Sequence, residues 1–476
     1  MVERASLQTT RATELSEVYR TLQPGPLTTL EELKAFYFEG INAVRGGDKM
    51  QRLKLRLNRA YNDRIPFKAC VMGHRGVGKS TEISRLLVEV KEKFQPIRFS
   101  AVSMLDPGSF KPLDVLLVMM AEVAEHTAKP IAEGGAGKRP SDARLREIWD
   151  WFATEKMTRE LAQNAAVSGE IGAGVKEDSL WGKVLGLFAT LKGEIKFAST
   201  RKTEVVEYRL SRLSDLITVA NRLLDDCNEL LRMATGKDWL FVGEDFDRAG
   251  IPNTRIEELF ITYANIFQEL RSHLIFTLPI SLYYSEKAIR LPFAADCSFV
   301  MPDTPMFDPH HEPNQAGRKA VETALAARMD LQLFEPDQLM RLIVASGGNL
   351  RDLFGLINYA ADGAAIRDAI QINGADADAA IVNLRSDYER RLGQSPYDPE
   401  VISYDDKATL LQRIYAGDKE AQMPNPSLYA LLNARSAQEF NGQEFNGQRW
   451  FGVHPLVVDI LVAQKHLVAG APGGTF

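Results

Sequence analysis

Short apolar runs recur between residues 67 and 301, and most are followed by a segment with helical spacing. Runs of this length without polar alternation are typical of strands that are buried on both faces. Strands that alternate with helices form a parallel sheet covered on both sides. The pattern therefore predicts an α/β core over residues 29–303, a parallel sheet with flanking helices. The predicted strands are Phe67–Met72, Pro96–Val102, Trp239–Gly243, His273–Pro279 and Phe299–Met301.

A seam of apolar residues, spaced three and four apart, runs from Val206 to Leu231 and predicts the most regular helix of the chain. Gly236 marks its end, because glycine commonly follows a helix C-terminus. A helix lying across the parent sheet produces such a seam, and so does a coiled-coil contact between subunits.

Residues 130–200 interrupt the alternation and are predicted to be an insertion in the core. They contain a weak alternating run at Val167–Val175 and an apolar helix at Leu180–Phe188. Packing against the core is one interpretation of this helix, and contact with a partner or a membrane surface is the other.

Both ends of the chain differ from the core. Residues 1–28 are polar and end at the turn signal Pro24-Gly25-Pro26, which predicts a mobile N-terminal tail. Residues 304–395 have helical spacing and predict an α-helical lid. Residues 396–476 predict a small winged-helix-like domain, because the pentapeptide Glu439–Gln443 and its copy Glu444–Gln448 carry a hairpin signal. Such domains often bind DNA, but six Lys or Arg against nine Asp or Glu favour a protein contact here.

The strongest chemical signal lies between the first predicted strand and the helix after it. It has the sequence Gly73-His74-Arg75-Gly76-Val77-Gly78-Lys79-Ser80, followed by Thr81. Glycines let a loop turn with its backbone N–H groups pointing at a phosphate. Lys79 can reach the β and γ phosphates, the Ser80 hydroxyl can hold Mg²⁺, and the helix N-terminus faces the anion. Residues 73–81 are therefore predicted to bind ATP with Mg²⁺.

Three acidic residues, Glu244, Asp245 and Asp247, follow another predicted strand. In an open parallel sheet the ligand binds at the carboxyl ends of the strands. Acids at this edge can hold Mg²⁺ through its water shell and position an attacking water. Glu244 is assigned to the metal together with Ser80, Asp245 to the water, and Asp247 to their support. A shift by one position within the trio is the alternative.

Two further residues stand where they could meet the phosphates. Thr277 lies near the end of a predicted strand, where its hydroxyl could sense the γ-phosphate, although threonine is also a common strand residue. Arg351 stands on the first helical turn after the glycine turn Ser346–Asn349. An arginine on the leading turn of a lid can close over a nucleotide and contact its phosphates.

Composition and charge add limits. A net charge of −6 gives no global support for nucleic-acid binding. The basic stretch 48–68 fits nucleic acid, a solvated helix face or an acidic neighbouring subunit. Three scattered cysteines form neither a disulfide framework nor a metal-ligand pair. We expect a cytoplasmic protein without a membrane span, because neither a signal peptide nor a long apolar run occurs.

With these motifs in order, residues 30–390 resemble AAA+ ATPases, and most closely the branch shared by origin-recognition ATPases and STAND signalling ATPases. The resemblance implies that Thr277 is the sensor 1 residue, Arg351 the sensor 2 residue and Arg290 the arginine finger that reaches a neighbour's nucleotide. The acidic motif departs from the family, because Glu244 and Asp245 stand where two or three aspartates are usual. The phosphate loop and the segment Asn446–Leu456 also look like bacterial ATPases found in antiphage defence systems.

The sequence thus predicts an ATP-binding and hydrolysing molecular switch. Its nucleotide state would control assembly with itself or with a co-encoded effector protein. One alternative is a DNA-associated ATPase, such as a loader or remodeller in replication or transposition. The other is a nucleotide-binding scaffold without turnover.

Overall fold

The computed structural model describes residues 9–153, 179–197, 211–248, 250–393, 402–441 and 449–468. Three sequence predictions lie wholly or partly outside these residues. They concern the alternating run Val167–Val175, the start of the long apolar seam up to Leu210, and the second pentapeptide copy Glu444–Gln448.

Five parallel strands form the central sheet. They are β1 (Lys68–Gly73), β2 (Phe94–Ser100), β3 (Asp238–Glu244), β4 (His273–Leu278) and β5 (Ser298–Met301). Their order is β2-β3-β4-β1-β5, which confirms the five predicted strands and the predicted fold class. Because β1 and β3 lie on either side of β4, the segments that follow them emerge at the same carboxyl edge, one on each side of the end of β4.

Helices surround this sheet and precede it along the chain. They are α1 (Leu15–Thr21), α2 (Leu30–Phe36), α3 (Gly40–Val44), α4 (Lys49–Asp63), α5 (Lys79–Glu89), α6 (Ala101–Met104), α7 (Pro112–Ala128), α8 (Asp142–Ala153), α9 (Leu180–Lys196), α10 (Leu213–Thr235), α11 (Asn253–Glu257), α12 (Asn265–Glu269) and α13 (Ile280–Tyr284). A π-helical turn spans Glu258–Thr262, and short 3₁₀ turns span Ile131–Glu133, Glu286–Arg290 and Ala295–Cys297.

Alternate residues of the strands face two apolar layers. Cys70 and Met72 of β1 point into one layer, which α7, α9 and α10 cover. Ala69 and Val71 point into the other, beneath α4 and α5. The described part of the predicted insertion and of the long seam thus packs against the core. None of the described helices is long and apolar enough to cross a membrane.

Four helices follow the sheet as the predicted lid: α14 (Gln315–Ala326), α15 (Gln338–Ala345), α16 (Leu350–Ile366) and α17 (Gly374–Leu392). The C-terminal part has α18 (Tyr404–Tyr415), α19 (Pro426–Ala434), the antiparallel hairpin of β6 (Ala437–Asn441) and β7 (Arg449–Val453), and α20 (Pro455–Ala463). This arrangement is typical of a winged-helix domain. The lid and the C-terminal part share one apolar core, which includes Leu353 of α16 and Leu456 of α20.

The N-terminal segment corrects one prediction. Residues 9–28 do not form a separate mobile tail, because Ala12 pairs with Met329 and α1 packs on α16 of the lid. Val18 and Leu22 are fully buried in the lid core. The segment is polar on average, and this concealed its few apolar residues. Their helical spacing places them on one face of the helix, and this face packs on the lid.

The basic stretch forms α4, and several of its charges are paired within the chain. Met50, Leu53 and Leu57 bury one face of the helix. On the other faces Lys54 pairs with Glu89 at 2.8 Å and Arg56 pairs with Asp296. These pairs reduce the charge that α4 offers to another molecule.

Two glycines should respond oppositely to alanine. A Cβ at Gly243, in β3, would lie 2.5 Å from the Phe276 ring, whereas a Cβ at the exposed Gly355 of α16 meets nothing within 4 Å. We expect Gly243→Ala to lower the free energy of unfolding by about 1–3 kcal/mol through overpacking. Gly355→Ala should raise it by about 0.5–1 kcal/mol through helix propensity. Urea denaturation measures both, and equal effects of the two changes would contradict the packing described.

Candidate functional site

The segment between β1 and α5 turns through glycines in the left-handed region of the backbone. The φ angles are 87° at Gly76 and 102° at Gly78. A Cβ at Gly76 would lie 2.3 Å from Oδ1 of Asn349 in the lid, so only glycine lets the lid approach this closely. A Cβ at Gly78 would meet nothing within 4 Å. The space beside Gly78, at the N-terminus of α5, is therefore open to an anion.

The Lys79 ammonium group is buried at the centre of this loop. It donates to the carbonyl oxygens of Gly73 at 2.8 Å and His74 at 2.9 Å. It also pairs with the Asp247 carboxylate at 2.7 Å. A phosphate that enters the loop would compete with Asp247 for Lys79. The sequence predicted only a supporting role for Asp247, whereas the structure places it in direct contact with Lys79.

Asp245 lies directly after β3, with a left-handed φ of 65°. Its carboxylate accepts hydrogen bonds from Ser100 at 2.5 Å and from Arg248 at 2.9 Å. Burial would raise the pKa of Asp245, but these hydrogen bonds outweigh burial and hold the pKa below its ordinary value. The backbone N–H of Asp245 donates to the Thr277 hydroxyl at 3.1 Å. Thr277 thus fixes the position of an ionised carboxylate.

Glu244 is engaged by a residue that the sequence did not point to. One oxygen of its carboxylate accepts from Nε of Arg98 at 2.8 Å and pairs with the terminal nitrogen of the same guanidinium at 2.7 Å. Arg98 also donates to the Ser84 hydroxyl at 2.9 Å. Arg98 thus engages one of the two oxygens through which Glu244 would hold Mg²⁺, as predicted. The metal role of Glu244 stays a prediction.

The lid meets the loop at the predicted turn. Asn349 caps α16 by accepting from the N–H groups of Arg351 and Asp352, and its amide donates to the Arg75 carbonyl at 2.8 Å. Arg351 is thereby held beside the loop and lines the same cavity as Asp245. Burial, and then the positive charges of Arg248 and Arg435, lower the pKa of Arg351. The positive potential at this point favours an anion.

The cavity around these residues has a volume of about 600 Å³. Its apolar lining comes from the N-terminal segment Pro24–Leu27, Phe36 of α2 and Phe354 of α16. The guanidinium of Arg328 lies 5.0 Å from the centres of both phenylalanine rings. Leu27 N–H donates to the Thr81 hydroxyl at 3.2 Å, which ties this wall to α5. A cavity that combines apolar and cationic walls is suited to a nucleotide.

The C-terminal part also contacts the loop. Arg435, just after α19, donates to the Arg75 carbonyl at 3.2 Å and to the Asp352 carboxylate at 2.7 Å. Tyr388 donates to the other oxygen of Asp352 at 2.8 Å. Arg435 and Asp352 are both buried, so this ion pair joins the loop, the lid and the C-terminal part through fully engaged groups.

His74 faces away from the nucleotide cavity. Its buried Nε2 accepts from the N–H of Glu439 in β6 at 3.3 Å, and burial lowers the pKa of His74 to about 4. The imidazole is therefore neutral and packs against the hairpin. The prediction that residues 73–81 bind the nucleotide can apply to the backbone of His74 but not to its side chain.

Arg290 lies apart from the other candidates. It is exposed at the end of the 3₁₀ turn Glu286–Arg290 and does not line the cavity. Its predicted role concerns a neighbouring subunit and stays a prediction.

Sequence reasoning missed Ser100, Arg98 and Arg435. The first two lie at the carboxyl end of β2, next to β3, so the rule that ligands bind at strand ends could have found them. Arg435 had no such signal, because it follows a helix of the C-terminal part and reaches the loop only through the tertiary fold.

The residues present fit ATP with Mg²⁺. Lys79 and the open space at Gly78 would hold phosphates, the Ser80 hydroxyl lines the cavity where the metal would bind, and Asp245 is ionised beside it. Arg351 adds a cation on the lid side.

Comparison with known proteins gives structural matches only, since neither a protein-family model nor a curated protein matches the sequence. Cdc6p from Pyrobaculum aerophilum is 10% identical with a TM-score of 0.35, and the match covers 88% of this chain and 92% of that one. The ORC2 protein of Aeropyrum pernix, in its ADPNP–ADP complexes, is 9% identical with a TM-score of 0.38 over 88% and 93%. A Walker-type ATPase of Pyrococcus abyssi is 14% identical with a TM-score of 0.35 over 93% and 99%.

The burial of Glu439, the residue of β6 that contacts the loop, should make the free energy of unfolding depend on pH. Burial raises the pKa of Glu439 to about 7, against an ordinary value of 4.5. The folded state therefore keeps a proton that the unfolded chain has lost, and the stability from this proton disappears as the pH rises through 7. Between pH 6 and 8 we expect wild type to lose about 1 kcal/mol of unfolding free energy relative to Glu439→Gln.

Urea denaturation at both pH values measures this difference. Glu420→Gln, at a highly exposed position, is the matched control and should follow wild type. If Glu439→Gln and wild type lose the same free energy between the two pH values, Glu439 does not carry the proton.

Proposed function

We propose that the protein binds ATP with Mg²⁺ and hydrolyses it, and that its nucleotide state controls assembly with itself or with a partner protein. The observation that carries the proposal is the meeting of Lys79, Arg351 and an ionised Asp245 around one cavity at the carboxyl edge of the sheet. The closeness of the lid to the loop supports the switch, because a ligand in the loop would act directly on the lid.

The reaction would rest on positioning and charge stabilisation. The bound nucleotide and Mg²⁺ supply the bond to be broken and the counter-charge of the phosphates. Lys79 would exchange the Asp247 carboxylate for phosphate oxygens, and Ser80 would hold the metal. Ser100 holds the Asp245 carboxylate directly, and the Thr277 hydroxyl holds the backbone N–H of Asp245. In this position the carboxylate would orient the attacking water and accept its proton. Arg351 stabilises the charge that develops on the transferred group.

A protein partner is favoured over DNA. The charges of α4 are partly paired within the chain, and the segment 396–476 has more acidic than basic residues. The resemblance to bacterial defence ATPases supports a co-encoded effector as that partner and antiphage defence as the setting.

Turnover tests the enzymatic part of the proposal. Asp245→Asn should lower kcat on the order of 10²-fold or more while ATP binding remains, because the variant keeps the shape of the side chain but loses its charge. Lys79→Ala should weaken ATP binding itself. Asp362→Asn, on the exposed side of α16, is the matched control and should behave as wild type. ATP binding without turnover in wild type would favour the scaffold alternative, and unchanged turnover in Asp245→Asn would remove Asp245 from the reaction.

Mass measurements in solution test the switch. With a non-hydrolysable ATP analogue, but not with ADP, we expect wild type to assemble, and both Lys79→Ala and Arg290→Ala to remain unassembled. Lys287→Ala changes the same 3₁₀ turn without removing Arg290 and should still assemble. One mass in every nucleotide state would exclude an inter-subunit site for this chain alone and direct the search to another protein or to DNA.

A further inference from the structure

A second cavity, of about 490 Å³, borders the phosphate loop, and six arginines are among its lining residues. It is called the arginine cleft here, and it extends from the loop past the end of β3 to α17 and α19. Seven of its side chains are cationic and two are acidic: Arg75, Arg248, Arg351, Arg390, Arg391, Lys407 and Arg435 against Asp247 and Asp352.

Both acids of the arginine cleft already have cationic partners. Asp352 pairs with Arg435, and Asp247 pairs with Lys79 from the neighbouring cavity. Among the described residues, Arg75, Arg351 and Arg391 have no carboxylate within ion-pair distance. Arg248 and Arg390 pair with Asp245 and Asp387, which do not line the cleft, so the uncompensated positive charge comes from Arg75, Arg351 and Arg391.

The physical state of Arg75 agrees with a missing anion. Its Nε is buried without a hydrogen-bond partner among the described residues. Burial, and then the charges of Arg351, Arg435 and Arg248, lower the pKa of Arg75, although Asp247 opposes them. Holding guanidinium groups together in a partly buried cleft costs free energy, and a phosphate that accepts from several of them would offset this cost.

The arginine cleft and the nucleotide cavity share one wall. Arg75, Asp247, Arg248 and Arg351 line both. The cleft thus begins on the side of the loop where the γ-phosphate of a bound nucleotide would lie. Its far end carries Arg391, whose guanidinium lies 4.5 Å from the centre of the Tyr388 ring, and the largely exposed Arg390. Cationic groups thus continue from a buried position to the protein surface.

We propose that the arginine cleft binds inorganic phosphate and is the path by which the phosphate released from ATP leaves the protein. The role as an exit path rests on the proposed hydrolysis, which would supply the phosphate. The binding of phosphate to the cleft does not depend on hydrolysis. Phosphate in the cleft would share Arg75 and Arg351 with the γ-phosphate of ATP. Its affinity is therefore higher when ADP is bound than when an ATP analogue is bound.

Calorimetric titration of inorganic phosphate into the ADP-loaded full chain tests the site. Arg391→Gln should weaken phosphate binding about tenfold, because it removes one charged hydrogen-bonding group of the cleft. Arg391→Lys keeps the charge and should retain most of the affinity. Arg413→Gln, an exposed arginine of α18 paired with Asp418, is the matched control and should not change it. Arg390→Gln, at the exposed end, gives a second test in case Arg391→Gln does not fold.

Three results would overturn the proposal: no phosphate binding to ADP-loaded wild type, a phosphate affinity of both Arg391→Gln and Arg390→Gln that equals that of wild type, or equal affinity with ADP and with the ATP analogue. Displacement of phosphate by a DNA duplex whose own binding requires Arg391 would also overturn it, by making the cleft a nucleic-acid site.

ADP binding is measured first and needs no turnover. Turnover without Arg391-dependent phosphate binding defeats this inference alone, whereas phosphate binding without turnover defeats only the proposed hydrolysis.

Discussion

The backbone of residues 73–78 imposes the constraint on which the rest of the site depends. A loop that points its N–H groups inward turns its carbonyl groups outward, and buried carbonyls need donors. In this chain Lys79 serves the carbonyls of Gly73 and His74, Asn349 and Arg435 serve that of Arg75, and Arg45 serves that of Val77 at 2.9 Å. The loop is thus held from within by Lys79 and from outside by Arg45, Asn349 and Arg435, which belong to three separate segments.

This arrangement explains why distant parts of the chain are joined at the loop. Hydrogen bonds from charged groups contribute about 1.5–3 kcal/mol each when their partners are buried. The donors from the lid and the C-terminal part act on one carbonyl, that of Arg75, and Arg75 also carries a guanidinium into two cavities. A movement of this single peptide group would therefore reach the lid and the C-terminal part directly.

Local patterns were sufficient to predict the sheet, the glycine-rich turn between β1 and α5, and the place of Arg351 on the first turn of a helix. The five strands have continuous apolar runs, and the loop has a fixed spacing of glycine, lysine and serine. The pairs Arg98–Glu244 and Ser100–Asp245 could not be predicted in this way, because they depend on the register of β2 against β3, two strands far apart in sequence. Likewise, the N-terminal wall of the cavity depends on a few apolar residues whose burial is decided by the lid.

The common apolar core of the lid and the C-terminal part has a consequence for how such proteins diversify. Val18 near the N-terminus, Leu353 in the lid and Leu456 near the C-terminus all lie in this core. An exchange of the last segment between related genes would leave unmatched surfaces against the lid unless the lid and the N-terminal helix were exchanged with it. The N-terminal helix, the lid and the C-terminal part therefore form one packing unit, in which a change of apolar shape in one segment requires a matching change in another.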